Sequence, residues 1–214
     1  YKRLEFYGGF SHVRIGFGGF SRALINPIPS QQLPPPVAAV AVSDTFKNRE
    51  GFNGLDLSAT VNVSQYAGAK LDFARHFNTR QANIGNVGVE VKERLTTFLA
   101  GVQLKNTSKE TRRRARPFAH AMIGLGRATN ETDPVVYSRA IVEATKGQGF
   151  FGVLVKCPEA LNCSSNGFAA AIGGGLDVMV NKRIGFRLAQ LDYLPVRVNG
   201  RTRNGLRIGA GVVF

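Results

Sequence analysis

Apolar and polar residues alternate at every second position in several stretches of this chain. In residues 204–214, Leu206 and its alternate neighbours form an apolar face, while Arg207 and several glycines form the opposite face. Residues 53–63 alternate even more regularly, with leucines and valines opposite Asp56 and other polar residues. A period of two is typical of a β-strand that has one face in apolar surroundings. The pattern therefore predicts an all-β protein.

Eight stretches are candidate strands, from this alternation or from their content of aromatic, β-branched and small apolar residues, and they are separated by segments rich in glycine, proline and polar residues. The stretch at 116–127 is small and apolar on both faces, so its orientation is not predicted. Gln190 and Asp192 break the alternation of the seventh stretch, which indicates a β-bulge near Ala189. The predicted strands are residues 4–20, 53–63, 67–75, 94–104, 116–127, 167–180, 184–193 and 204–214.

The connections between these strands alternate in length. Tight or medium turns are predicted at residues 64–66, 105–116 and 181–183, and longer loops at 21–49, 76–93, 128–166 and 194–203. Outer-membrane barrels have this asymmetry, with short periplasmic turns and long external loops. Closure into a barrel also removes the free edges of the sheet. We therefore predict one domain over residues 1–214, an eight-stranded antiparallel up-and-down transmembrane β-barrel with short periplasmic turns and long external loops.

The tight turns also fix which residues lie opposite each other across neighbouring strands. An acid opposite a base is a stabilising cross-strand pair. The predicted opposite pairs are Thr60 with Lys70, Ser58 with Asp72 and Asp177 with Arg187.

The polar faces of the strands would point into the barrel. The interior of an eight-stranded barrel is just wide enough for side chains to fill it. We therefore predict a network of paired charges that plugs the barrel, with a narrow ion path between the charges as the alternative. The predicted interior residues are Asp56, Ser58, Thr60, Asn62, Lys70, Asp72, Asp177, Arg187 and Arg207.

Composition excludes one class of membrane protein and leaves the partner open. No stretch approaches the roughly 20 apolar residues that a membrane-spanning helix needs. The formal net charge is +14, which suits nucleic acid or an anionic envelope surface such as the phosphates of lipopolysaccharide. No zinc finger, helix-turn-helix or RNA-binding motif is present, and the basic run at 112–116 is short. Nucleic acid is therefore the less favoured partner.

The two cysteines, Cys157 and Cys163, lie in a polar segment of the 128–166 loop. Such a local pair predicts a disulfide in an oxidising compartment. No histidine or third cysteine lies nearby to complete a metal site. The three histidines are dispersed and form no Ser/His/Asp arrangement, so no enzyme activity, cofactor or metal is expected.

Two apolar segments lie unexpectedly inside predicted loops, at residues 37–42 and 149–155. They could pack on another loop, extend a strand or contact a partner. The candidate external contact residues are Val37, Val40, Val42, Phe150, Phe151 and Val153.

Five stretches together resemble the small eight-stranded bacterial outer-membrane β-barrel family, akin to the transmembrane domain of outer-membrane protein A. They are EFYGGFSHVR (5–14), GFNGLDLSATVNV (51–63), PFAHAMIGLGRA (117–128), residues 168–197 and NGLRIGAGVVF (204–214). No peptidoglycan-binding domain is expected after Phe214.

This resemblance implies a location and a role. The location is the outer membrane of a Gram-negative bacterium, in contact with lipid and lipopolysaccharide, with Phe214 as a recognition signal for the barrel-insertion machinery. The role is that of a non-enzymatic structural and interaction protein of the cell envelope, which displays loops to a partner, a surface or neighbouring copies. The alternatives are a small porin-like solute or ion channel and, more weakly, a soluble basic barrel that binds nucleic acid.

Overall fold

The computed structural model describes residues 3–15, 50–84, 87–107, 114–132, 162–181, 183–198 and 201–214. Within these ranges eight strands form one closed antiparallel barrel, in which each strand pairs with the next and the last pairs with the first. The predicted fold class is therefore confirmed as a closed eight-stranded barrel. The strands are β1 (Leu4–Ile15), β2 (Glu50–Asn62), β3 (Ala67–Ile84), β4 (Val87–Lys105), β5 (Ala115–Thr132), β6 (Asn162–Met179), β7 (Gly185–Val198) and β8 (Arg201–Val213).

The alternation along each strand separates an apolar outer wall from the interior. On β8, Leu206 and Ile208 are exposed on the wall, whereas Arg207 between them is fully buried. The structure also orients the stretch that the sequence left undecided, since β5 turns His120 inward and Ile123 outward. The part of the chain that the structure describes contains no helix long and apolar enough to cross a membrane.

The two predicted tight turns are confirmed, and both are held by side-chain caps. The amide of Ala67 donates to Ser64 Oγ at 3.0 Å in the β2–β3 turn. In the β6–β7 turn, the amides of Arg183 and Ile184 donate to Asn181 Oδ1 at 2.8 and 2.7 Å. These turns set the predicted register, in which Thr60 is opposite Lys70 and Asp177 is opposite Arg187.

Two predicted loops are wrong because the strands continue through them. The 76–93 region is a hairpin in which β3 reaches Ile84 and β4 starts at Val87. The 194–203 region is likewise a hairpin between Val198 and Arg201. Gly-Asn and Asn-Gly pairs occupy positions 85–86 and 199–200, and such pairs favour two-residue hairpin turns. Residues 76–84 are largely polar on both faces, which conceals the extension of β3. The extension of β4 does alternate, with Val87, Val89 and Val91 between polar residues and glycine, and the sequence reading missed that signal.

The other loop predictions have mixed outcomes. The predicted 128–166 loop is too long at both ends, since β5 extends to Thr132 and β6 begins at Asn162. The 21–49 loop lies outside the described residues, as do positions 16–20 of the first predicted strand.

The predicted bulge near Ala189 is confirmed. Leu176 pairs with Ala189 and Asp177 pairs with Arg187, which leaves Leu188 without a partner position on β6. The extra residue shifts the phase of β7, so that Arg187 and Gln190 both point inward. The bulge therefore explains the broken alternation: it brings an additional polar residue into the barrel.

Candidate functional site

The barrel interior is divided into a charged half and an apolar half. We call the end that carries the two chain termini and the turns at 63–66 and 180–184 the turn end, and the opposite end the loop end. Charged residues fill the interior towards the turn end. Towards the loop end an apolar cluster predominates, together with the buried polar residues Ser11, His76, Glu93 and Thr97.

Arg207 is the centre of one group of charges. Its Nε and Nη2 lie 2.8 and 2.7 Å from Asp192 Oδ2. Its Nη1 donates to Asp72 Oδ1 at 2.9 Å and lies 3.5 Å from Asp56 Oδ2. Three carboxylates from β2, β3 and β7 thus surround one guanidinium from β8, all without solvent exposure. Such a cluster joins distant strands through a single cation.

Arg187 is the centre of the second group. Its Nε donates to Asp177 Oδ1 at 2.8 Å, and its Nη1 donates to Gln190 Oε1 at 2.8 Å. The guanidinium also lies 4.2 Å from the ring centroid of Tyr7 and 4.0 Å from that of Phe118. A planar guanidinium suits this combination of ion pair and aromatic stacking, which an ammonium group could not reproduce.

Lys105 connects β1 to this second group. Its Nζ donates to Glu5 Oε2 at 2.7 Å and to Asp177 Oδ2 at 2.6 Å. Both carboxylates are nearly or fully buried. The closing seam of the barrel, between β1 and β8, is therefore also tied to β4 and β6 through the interior.

His120 and Gln190 lie between the two groups. His120 Nε2 lies 2.9 Å from Asp192 Oδ1, and its Nδ1 lies 3.4 Å from Lys70 Nζ. Gln190 Nε2 donates to Asp192 Oδ2 at 2.7 Å, while its Oε1 accepts from Arg187. The two groups of charges are consequently one continuous network.

All six charges predicted for the interior lie in this network. Lys70 takes part through Asp72, whose Oδ2 is 3.9 Å from its Nζ. The predicted polar residues Ser58, Thr60 and Asn62 are also buried. The sequence reading missed Glu5, Lys105, His120, Gln190 and Asp192, for identifiable reasons. Glu5 lies at the start of the first strand, and Lys105 falls in the predicted 105–116 turn. His120 is on the strand that could not be oriented, and the last two follow the bulge.

This network leaves little net charge inside the barrel. Its acids are Glu5, Asp56, Asp72, Asp177 and Asp192, and its lysines and arginines are Lys70, Lys105, Arg187 and Arg207. The surplus of positive charge, +14 over the whole chain, therefore belongs to the outer wall and the connections. Buried charges that are paired and hydrogen-bonded form a rigid plug, because separating any one of them leaves its partners unsatisfied.

The apolar half was not predicted. Its residues come from six strands and form one buried cluster, which we call the apolar plug. Leu95, Leu99 and Met122 could not be recognised as interior residues, because they belong to stretches with apolar residues on both faces. The plug consists of Val13, Ile15, Phe52, Leu95, Leu99, Met122, Ala128, Ala169, Ala171, Leu194 and Val196.

Several other predicted site residues lie outside what the structure describes. These are the candidate contact residues in segments 37–42 and 149–155, and Cys157. The backbone of Cys163 pairs with Asn130 on β5, but its side chain is outside the described part, so the disulfide stays a prediction. Phe214 is described: its amide donates to the carbonyl of Phe6 at 2.8 Å, and the amide of Phe6 donates back at 3.1 Å.

The described architecture is that of the small eight-stranded outer-membrane barrels. Neisserial surface protein A superposes with a TM-score of 0.54 at 12% identity, over 98% of this chain and 95% of that one. Ail, the attachment invasion locus protein of Yersinia pestis, in a complex with the heparin analogue sucrose octasulfate, superposes with a TM-score of 0.52 at 11% identity, over 99% and 98%. No family model and no curated protein sequence matches the chain. At these identities the similarity establishes the fold.

Proposed function

We propose that this chain is a non-enzymatic outer-membrane barrel of a Gram-negative bacterium, closed to solutes, whose loop end faces the exterior and presents its long connections to a partner, a surface or neighbouring copies. The observation that carries the proposal is the filled interior, enclosed by an apolar outer wall.

The outer wall supports placement in a membrane. Large apolar side chains are exposed on all eight strands, including Phe10, Leu55, Leu71, Phe98 and Ile123. Soluble monomers rarely expose contiguous apolar patches larger than a few hundred Å², whereas a barrel in lipid requires such a belt. The two superposed barrels, an attachment protein and a surface protein by name, agree with this placement. A soluble barrel that binds nucleic acid would instead expose a polar and basic outer surface.

The interior supports a closed structural barrel over a channel. An ion path needs continuous polar lining, but apolar plug residues from six strands line the interior between the charged half and the loop end, alongside the buried Ser11, His76 and Thr97. Within the charged half, the guanidinium and ammonium groups are already engaged by carboxylates at ion-pair distances. Transfer of an ion through the plug would require desolvation without replacement ligands.

The connections support a role at the loop end. The described strands leave residues 16–49 and 133–161 as the two longest connections, and both start and finish at the loop end. Loops carried on a rigid scaffold are where binding functions concentrate.

Replacing Ile123 with arginine tests the membrane placement. Ile123 is 63% exposed on the outer wall, so a soluble barrel would tolerate the change. In a bilayer, arginine near the midplane costs about 2–4 kcal/mol of folding free energy. We expect Ile123→Arg to lower the free energy of unfolding by this amount in urea titrations of barrel refolded into lipid vesicles. Asn204→Arg, an exposed position near the loop end of β8, should lower it much less. Equal stabilities of Ile123→Arg and the wild type, with no heat-modifiable mobility on gels, would exclude the membrane reading.

Serine substitutions in the two apolar loop segments test their proposed role in contacts between copies. The variant replaces Val37, Val40, Val42, Phe150, Phe151 and Val153 with serine, which removes the apolar surface that association would bury. We expect the variant to sediment as a monomer in detergent while the wild type self-associates. Its heat-modifiable mobility should be unchanged, which serves as the control for folding. Self-association that survives all six substitutions would contradict the assignment.

A further inference from the structure

Four neighbouring strands present two distinct rows on the outer wall, about midway along β3 and β4 and nearer the loop end on β5 and β6. In the first row, register pairs place Phe73, Phe98, Leu125 and Phe168 side by side on β3, β4, β5 and β6. All four are exposed. Two residues nearer the loop end, the same registers align Arg75, Thr96, Arg127 and Asn166. A row of cationic and polar groups therefore borders a row of apolar ones.

The two arginines of the second row flank a single strand. Neighbouring strands are about 4.8 Å apart, so the Cα atoms of Arg75 and Arg127 are separated by about 10 Å, with Thr96 between them. Guanidinium groups at this spacing can both reach one phosphate group, each through paired N–H donors. The Thr96 hydroxyl and the Asn166 amide supply further donors in the same row.

These two arginines have no acidic partner among the described residues. Arg94, one row further towards the loop end, is already paired in a bidentate manner with Glu131 at 2.6 and 2.7 Å. Arg75 stacks on the ring of Phe77, with 5.2 Å between its guanidinium carbon and the ring centroid. That contact orients Arg75 without neutralising it. The row thus keeps two positive charges for an external anion.

We propose that this surface of β3–β6 binds a phosphate-bearing lipid of the outer leaflet, the chemistry of the lipid portion of lipopolysaccharide. The phosphate lies between Arg75 and Arg127 over Thr96, and the acyl chains pack on Phe73, Phe98, Leu125 and Phe168. This inference rests on the proposed membrane placement, and it names the residues through which the basic outer wall would engage a lipid.

The adjoining apolar row favours a lipid over a free anion. A soluble phosphate or a sulfated sugar would contact only the arginines. It would leave the apolar row of Phe73, Phe98, Leu125 and Phe168 uncovered. A lipid that carries phosphate at the membrane surface matches both rows at once, because its charge and its acyl chains have the same vertical order as the two rows.

Binding of purified bisphosphorylated lipid A to the full-length barrel in neutral detergent, measured by native mass spectrometry, tests the proposal. We expect Arg75→Gln/Arg127→Gln to weaken binding about tenfold or more, since hydrogen bonds to charged groups are each worth a factor of that order. The matched control is Arg14→Gln/Arg197→Gln, which removes two exposed loop-end arginines that lie two rows apart on β1 and β7. We expect the control to change affinity less than twofold.

A second comparison separates the sources of the anion. Inorganic phosphate at millimolar concentration should not displace lipid A, and removal of both phosphates from the lipid should weaken its binding as much as removal of the arginines does. Equal losses in the two double variants, or displacement by inorganic phosphate, would overturn the lipid site. Heat-modifiable mobility of the same samples reports separately on whether the barrel is a membrane protein.

Discussion

Arg207→Met is expected to lower the free energy of unfolding by about 3–5 kcal/mol, the range seen when one member of a buried ionic cluster is removed. The guanidinium of Arg207 is completely buried and lies within ion-pair distance of Asp56, Asp72 and Asp192. Methionine fills a similar volume but leaves three carboxylates close together without their common cation. Urea-dependent refolding into vesicles, followed by heat-modifiable gel mobility, would measure the loss.

Two further variants make this test specific. Arg14→Met removes an arginine exposed on the outer wall and should have a much smaller effect. Adding Asp72→Asn and Asp192→Asn to Arg207→Met should recover part of the lost stability, because the amides remove the mutual repulsion. A loss under about 1 kcal/mol for Arg207→Met would mean that water reaches the carboxylates and that the network does not plug the barrel.

Phe52→Ala is expected to lower the free energy of unfolding by about 3–5 kcal/mol, the usual cost of truncating a buried phenylalanine. Phe52 is 1% exposed and belongs to the apolar plug. The surrounding strands are fixed by barrel closure, so the cavity cannot collapse easily. Phe52→Leu keeps most of the apolar volume and should lose less than about 1.5 kcal/mol. The same refolding titrations would compare the three proteins.

The proposed closed barrel would be kept from conducting by the apolar plug. Planar-bilayer recordings of the refolded protein should therefore show no steady conductance, whatever the sign of the applied voltage. A stable open level in the wild type, together with a small effect of Phe52→Ala, would show that the lumen is hydrated at this height. That result would restore the small-channel alternative.

Both halves of the interior make the barrel rigid, because each connects strands that are not neighbours in the sheet. The charged half ties β1 to β4 and β6 through Lys105, and β8 to β2, β3 and β7 through Arg207. The apolar plug joins six of the strands by packing. A barrel stabilised in both ways is a rigid scaffold, which is consistent with the proposed binding role of its long connections.

The amino-acid sequence by itself determined the apolar outer wall of the barrel. Alternation at period two is a local property, so it identified most of the eight strands and which of their faces forms the apolar outer wall. The capped turns at Ser64 and Asn181 are also local, and they suffice to fix the pairs Thr60–Lys70 and Asp177–Arg187. A strand pair joined by a short turn has few alternative registers, because a shift by one residue would exchange its two faces.

Only the tertiary structure decided how the interior is filled. Arg207 finds its carboxylates on β2, β3 and β7, and the relative heights of these strands depend on the tilt and stagger of the closed barrel. The same closure collects Phe52, Leu95 and Leu99 into the apolar plug, although Phe52 lies on the otherwise polar face of β2 and β4 has apolar residues on both faces. It also aligns Arg75 with Arg127 across β4. Contacts across the lumen and rows across several strands arise from the summed stagger of all the pairs, which no single stretch of sequence encodes.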